Sequence, residues 1–378
     1  MLVCVSPNGG AETRSDEPAR RLLVGTITGI AVFERDGEGS RWNLRTLVRR
    51  DLQVSALLYL PEQRLVLAGG HGAGGLWISR DLGESFSRIA FPAAHIYSIQ
   101  CQYRAGGPRL WVGTEPAALF YSDDLGATWT ELASLRSVPE HENWTFPPPP
   151  HIGHVKGVSW CDADPDRLFV LVEQGGLFVT DNLGKDWREL KGYLIGDQKF
   201  YRDSHRLCIN PENPDWMIFA TGDGLCRSED GGETWVYVMT RQGRIGYPDC
   251  LFIDPYDPDR IIVAGPQSEG APRIHAKATV MLSRDRGDHF EDVGATMGAP
   301  LRGNIEAMAM YATPENALFF AGTATGELFV SYDRCESWEC VCADLPPVSK
   351  AGHYRWYLTD EERAVIESEM QKWKQEAA

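Results

Sequence analysis

Apolar residues fall along this chain in short runs of a few positions, broken by clusters of Gly, Pro, Asp and Asn. None of these runs approaches the ~18 residues that a membrane-spanning helix needs. Runs this short, rich in Val, Ile, Leu and aromatics and punctuated by turn residues, predict β-strands. One stretch shows the arrangement. Val155 to Cys161 reads as a first strand, and Asp164-Pro165-Asp166 as a turn. Arg167 to Val172 reads as a second strand, Leu177 to Thr180 as a third, and Trp187 to Leu190 as a fourth. First strands of matching units begin near Val54, Ile96, Val155, Arg206, Cys250 and Ile305.

A polar pattern recurs between the third and fourth strand of each unit. It reads Ser or Thr, any residue, Asp, any, Gly, any, any, aromatic. The copies are SRDLGESF (79–86), SDDLGATW (122–129), TDNLGKDW (180–187), SEDGGETW (228–235), SRDRGDHF (283–290) and SYDRCESW (331–338). Asn182 replaces the Asp of the third copy, and Cys335 the Gly of the last. Asp and Ser side chains can bond nearby backbone N–H groups and hold a bend, and Gly supplies its positive φ. Four strands per ~45-residue unit is the pattern of a propeller blade. Six units, with Leu22 to Val48 as another, predict an all-β, seven-bladed propeller over 1–350. Either Met1 to Ser6 or Tyr354 to Leu358 supplies the strand that the N-terminal blade lacks. Beyond it, Thr359-Asp360-Glu361-Glu362 reads as a capping box, and Arg363 to Glu376 as a short helix with Ile366, Met370 and Trp373 on one face. That helix packs on the propeller or makes contacts, including those of a homo-oligomer.

These segments resemble the Asp-box (BNR) repeats of sialidases, sortilin-type receptors and photosystem assembly factors, from about residue 22 to about 345. The resemblance implies a propeller fold. It carries a sialidase-like hydrolase, a glycosidase more broadly, and a non-catalytic binding platform as alternative functions. The Arg-Ile-Pro signature of sialidases is absent, so their arginine cluster has no counterparts here residue by residue.

Composition narrows the partners. A net charge of −16 disfavours nucleic-acid phosphates and anionic membrane surfaces. Nine Cys without paired spacing fit free thiols in a reducing compartment, which places the chain in the cytoplasm. Gly70 to Gly75 matches G-x-G-x-x-G, but a strand rather than a helix follows, so it reads as a blade loop. Cys335, Cys340 and Cys342 lack a second pair at zinc-finger spacing. No nucleophile elbow, P-loop or H-E-x-x-H occurs.

The candidate chemistry follows from blade geometry. Starts of first strands and ends of second strands lie at one end of an antiparallel meander, where propellers commonly bind ligands. His71, His95, His151, His154, His205 and His275 map to that end, with His141 in the insertion leading to it. So do Lys156, Asp203, Arg206, Tyr247, Asp249, Asn304, Glu306, Arg273 and Lys277, with Glu115, Glu173 and Asp223 at the ends of second strands. His95, His154 and His205 are candidate ligands of a divalent transition metal (Zn, Fe, Cu or Mn), the alternative being hydrogen bonds between blades. Arg206 and Lys156 are candidate anion anchors, and Glu306 a carboxylate partner. For a hydrolase of the sialidase type that the repeats resemble, the resemblance implies a Tyr–Glu pair, here Tyr247 with Glu306, and an acid, here Asp203 or Asp249. The reading is a small-molecule enzyme with its site at the channel mouth.

Overall fold

The computed structural model describes residues 1–8, 12–147, 150–195, 202–267, 274–298 and 301–350, with isolated positions between 360 and 368. The described residues form seven sheets, six of four strands and one of five. The fold is a seven-bladed, all-β propeller. First strands begin at Val54, His95, His154, Ser204, Cys250 and Ile305, within two residues of the sequence reading. In the remaining sheet, Leu2–Val5 runs parallel to Arg21–Thr26, so the N-terminal segment supplies the missing strand. Glu12–Arg14 then adds to the last sheet, parallel to Ile305–Ala312. The other candidate, 354–358, lies outside the described residues. The expected C-terminal helix is not borne out, and most of 359–378 lies outside the described residues as well.

The chain divides into two compact units. One holds 1–101, 271–278 and 293–378, and the other 102–270 and 279–292. In the first, Leu23, Ile30, Val32, Val54, Leu57 and Val66 pack together. In the second, the strand Asp164–Glu173 is buried on both faces from Leu168 onward. Leu168, Val170 and Val172 enter one core cluster, and Phe169 and Leu171 another. Successive residues of a strand point to opposite faces, so a strand covered on both sides must read as a continuous apolar run.

The recurring turn has the bonding its sequence predicts. Ser79 Oγ donates to Asp81 Oδ1 at 2.7 Å and accepts from Gly83 N at 2.8 Å. Asp81 then accepts from Ser85 N and from Ser85 Oγ. Thr128, Thr234 and Ser337 hydroxyls repeat that last bond to Asp124, Asp230 and Asp333. In the third copy the polarity reverses. Asn182 Nδ2 donates to Asp186 Oδ2 at 2.9 Å, with Asp186 standing where four other copies carry a hydroxyl and the fifth carries His289. The exchange of Asp for Asn and of hydroxyl for carboxylate therefore goes together. Asn182→Asp should place two carboxylates in contact and lower Tm by roughly 1–2 °C. Adding Asp186→Thr should restore it, and an additive double variant in thermal melts would refute the coupling.

Four first strands share a further feature. The ladder skips one residue near the start of each: Ser55, Lys156, His205 and Glu306. Such a bulge re-aims the extra side chain out of the strict alternation. All four are polar and all four are buried.

Candidate functional site

In the second unit, antiparallel pairing sets the start of one strand beside the end of the next. His154 opens its strand directly opposite Glu173, which closes the neighbouring one. Their side chains meet, His154 Nε2 to Glu173 Oε2, at 2.7 Å. On the other side of the ring, His154 Nδ1 faces Glu115 Oε2 at 3.4 Å. The insertion before this strand packs against it, with the Phe146 ring 4.7 Å from the imidazole, edge-on.

The bulge at Lys156 sends its ammonium to the same carboxylate, 3.1 Å from Glu173 Oε2 and 3.9 Å from Asp249 Oδ1. The bulge in the next sheet does the same for His205, whose Nε2 stands 3.2 Å from Asp203 Oδ1. His205 Nδ1 lies 2.5 Å from the carbonyl oxygen of Pro248. A carbonyl only accepts, so Nδ1 carries the proton and, in the neutral ring, Nε2 keeps its lone pair. Tyr247 OH donates to the other oxygen of Asp203 at 2.7 Å, and its ring packs on His205. Burial first, and then the Asp203 charge, push the Tyr247 phenol well above its usual range, so it stays a donor. Gly222 borders the carboxylate so closely that a Cβ there would stand 2.8 Å from Asp203 Cβ. Neighbouring Asp223 is pushed up by burial, against the pull of Arg241, 3.2 Å away.

The result is a buried charged cluster. Glu173 is 3% exposed, Asp203 2% and His205 4%. One ligand atom from each of these three lies within 4.8 Å of the others, the one such group among the described residues. Asp203 Oδ1 and His205 Nε2 are buried polar atoms without a hydrogen-bond partner. Four carboxylates (Glu115, Glu173, Asp203 and Asp249) share the cluster with one ammonium and two imidazoles.

Several sequence-level assignments are redistributed. His154, Lys156, Asp203, His205 and Tyr247 come together as expected. His95 belongs to the first unit, where its Nε2 meets His71 Nδ1 at 2.9 Å, so the metal-competent set is His205 with two carboxylates and not three histidines. Glu306 is also in the first unit. Its Oε2 accepts from Ser349 Oγ at 2.8 Å and Lys350 N at 2.9 Å, so it anchors the segment around Ser349 and Lys350. Arg206, one residue past the bulge, stacks on Phe252 at 4.7 Å and makes none of the cluster's ion pairs. Arg273 lies outside the described residues. The sequence places Glu173 at this end without a role and offers Asp249 as an acid or an extra metal partner; in the structure Glu173 is the shared partner of His154 and Lys156. The available signal was a single polar residue one step into an apolar first strand, facing an acidic end of the second strand.

No family model matches the chain. A xyloglucanase from a Paenibacillus species is 21% identical over 277 residues, which are 61% of this chain and 26% of that protein. Among solved structures, an ancestral GH74 enzyme superposes with a TM-score of 0.56 at 12% identity, covering 76% of this chain and 38% of that one. YCF48 bound to a D1 peptide superposes at 0.53 with 16% identity, covering 88% of this chain and 92% of its own. The chain thus spans about a quarter of the xyloglucanase and under two fifths of the GH74 enzyme. At such identities the likeness is one of fold: this chain is similar in architecture to the propellers of GH74 enzymes and of YCF48.

Proposed function

We propose that the chain is a hydrolase of the glycosidase-like propeller class, and that it activates water at the Glu173–Asp203–His205 cluster. The observation that carries this is the pairing of two nearly inaccessible carboxylates whose oxygens approach within 4.8 Å. Carboxylates that straddle a glycosidic bond stand farther apart, about 5–5.5 Å in retaining enzymes and about 6.5–9.5 Å in inverting ones. A closer pair suits one small species held in common, such as a water molecule. A carboxylate takes the proton of that water as its oxygen adds to the substrate carbon. The proton then passes to the departing oxygen, leaving two hydroxyl products. Lys156 and the Tyr247 hydroxyl are placed to steady negative charge as it develops.

Burial limits the substrate to a small polar group inserted at the cluster. Glycosides are the first class to test, because the matched Paenibacillus protein is a xyloglucanase. A panel of aryl glycosides and small glycosides should reveal turnover in the wild type. Glu173→Gln and Asp203→Asn should each lower kcat about 10²–10⁴-fold while melting cooperatively. No turnover across the panel, or turnover unchanged in both variants, overturns the reading in favour of a binding platform.

A further inference from the structure

We infer that the cluster is a divalent-cation site, with Glu173, Asp203 and His205 as ligands to Zn²⁺ or Mn²⁺. The inference rests on the preceding reading only in taking this cluster as the working site. Three observations carry it. The first is the donor set. Ligand atoms within 4.8 Å of one another need only small side-chain shifts to share a centre at about 2.0–2.2 Å, the usual distance for oxygen and imidazole ligands. One imidazole with two carboxylates suits zinc and manganese better than soft, thiolate-seeking ions.

The second observation is the orphaned atoms. Asp203 Oδ1 and His205 Nε2 face each other at 3.2 Å, buried, with no hydrogen bond between them or to anything else. A buried ring nitrogen and a buried carboxylate oxygen left without hydrogen bonds are costly, and a cation bound by both would satisfy them.

The third observation is the support around the ligands. The Pro248 carbonyl holds His205 through Nδ1, and Tyr247 holds Asp203 through its second oxygen. His154 bonds Glu173 from behind. Metal ligands are commonly fixed in this way by partners on their far side. Charge points in the same direction, because a dication would offset the buried carboxylates of Glu173 and Asp203.

The test uses the full chain without an affinity tag, stripped with EDTA, dialysed, and titrated with Zn²⁺ and separately with Mn²⁺. Calorimetry and plasma mass spectrometry give affinity and stoichiometry. One ion per chain is expected, with Tm rising as the ion is added. Asp203→Asn is nearly isosteric, and His205→Ala removes the imidazole. Each should weaken binding at least 100-fold in protein that still melts cooperatively. His289 and Asp285 form an exposed pair at 2.6 Å that could hold metal adventitiously, so His289→Ala is the control and should leave the stoichiometry at one. No stoichiometric binding in the wild type, retention in both cluster variants, or loss in the His289 variant overturns the inference. The two proposals fail separately. Undiminished hydrolysis in EDTA removes the metal and keeps the hydrolase, whereas tight metal binding without turnover does the reverse.

Discussion

Lys156→Met should destabilise the metal-free protein by about 3–5 kcal/mol, the expected cost of removing one partner from a buried ion pair. The ammonium is 3.1 Å from Glu173 and 3.9 Å from Asp249, and these side chains are only 4–7% exposed. Methionine matches the volume of the lysine stem, so packing changes little and the loss is electrostatic. What remains is a group of buried carboxylates that has lost its ammonium partner. Lys156→Met/Glu173→Gln should recover much of the stability, because the charge that lost its partner is itself gone. Chemical denaturation in EDTA measures both. A Lys156→Met protein as stable as the wild type would show that the ammonium is dispensable to the fold, and would leave Lys156 a role in chemistry alone.

Acid should unfold the protein chiefly between about pH 4 and pH 2, through the recurring turns. Burial, the largest single effect, pushes Asp81 up, but hydrogen bonds from Ser85 and Ser79 together outweigh it and hold the carboxyl at about 2. The Thr128 hydroxyl and N–H hold Asp124 at about 2, and the His289 N–H and ring do the same for Asp285. Asp230 is lowered through Thr234, and Asp333 through Ser337 against its own desolvation. Each group is more acidic folded than unfolded, where its pKa is about 3.9. Its contribution is therefore fully present above that value and is lost as pH falls through the folded pKa. Thermal melts from pH 6 to pH 2.5 should show Tm falling steeply below pH 4. A variant with Asn at positions 81, 124 and 285 should melt lower at pH 6 and differ less from the wild type at pH 3. Equal pH slopes in the two proteins would assign the acid sensitivity elsewhere.

Much of the fold is legible because its determinants are local. The turn from Ser79 to Phe86 is closed by side chains four residues apart or fewer, so its geometry is written in consecutive positions. The apolar run Leu168 to Val172 announces a strand covered on both faces. The height of a residue within a blade is legible for the same reason. His154, Lys156, Asp203 and His205 were placed at one end of their strands by counting from turns.

The identity of the partner across sheets is not local. Glu306 sits at the same bulge position as Lys156 and His205, yet it binds Ser349 and the Lys350 backbone, 43 and 44 residues away. His95 opens its strand as His154 does, but its neighbour is His71. The bulges themselves depend on hydrogen-bond register, which no residue pattern states, and register decides which side chain leaves the alternation.

The sequence by itself determined seven four-stranded units and the turns that join their outer strands, because these rest on spacing, alternation and short-range hydrogen bonds. Only the tertiary structure decided that Glu173, Asp203 and His205 share a buried centre, that Lys156 offsets part of its charge, and that Glu306 and His95 belong elsewhere. Those assignments depend on distances between strands far apart in the chain, and electrostatic energy follows distance in space rather than separation in sequence.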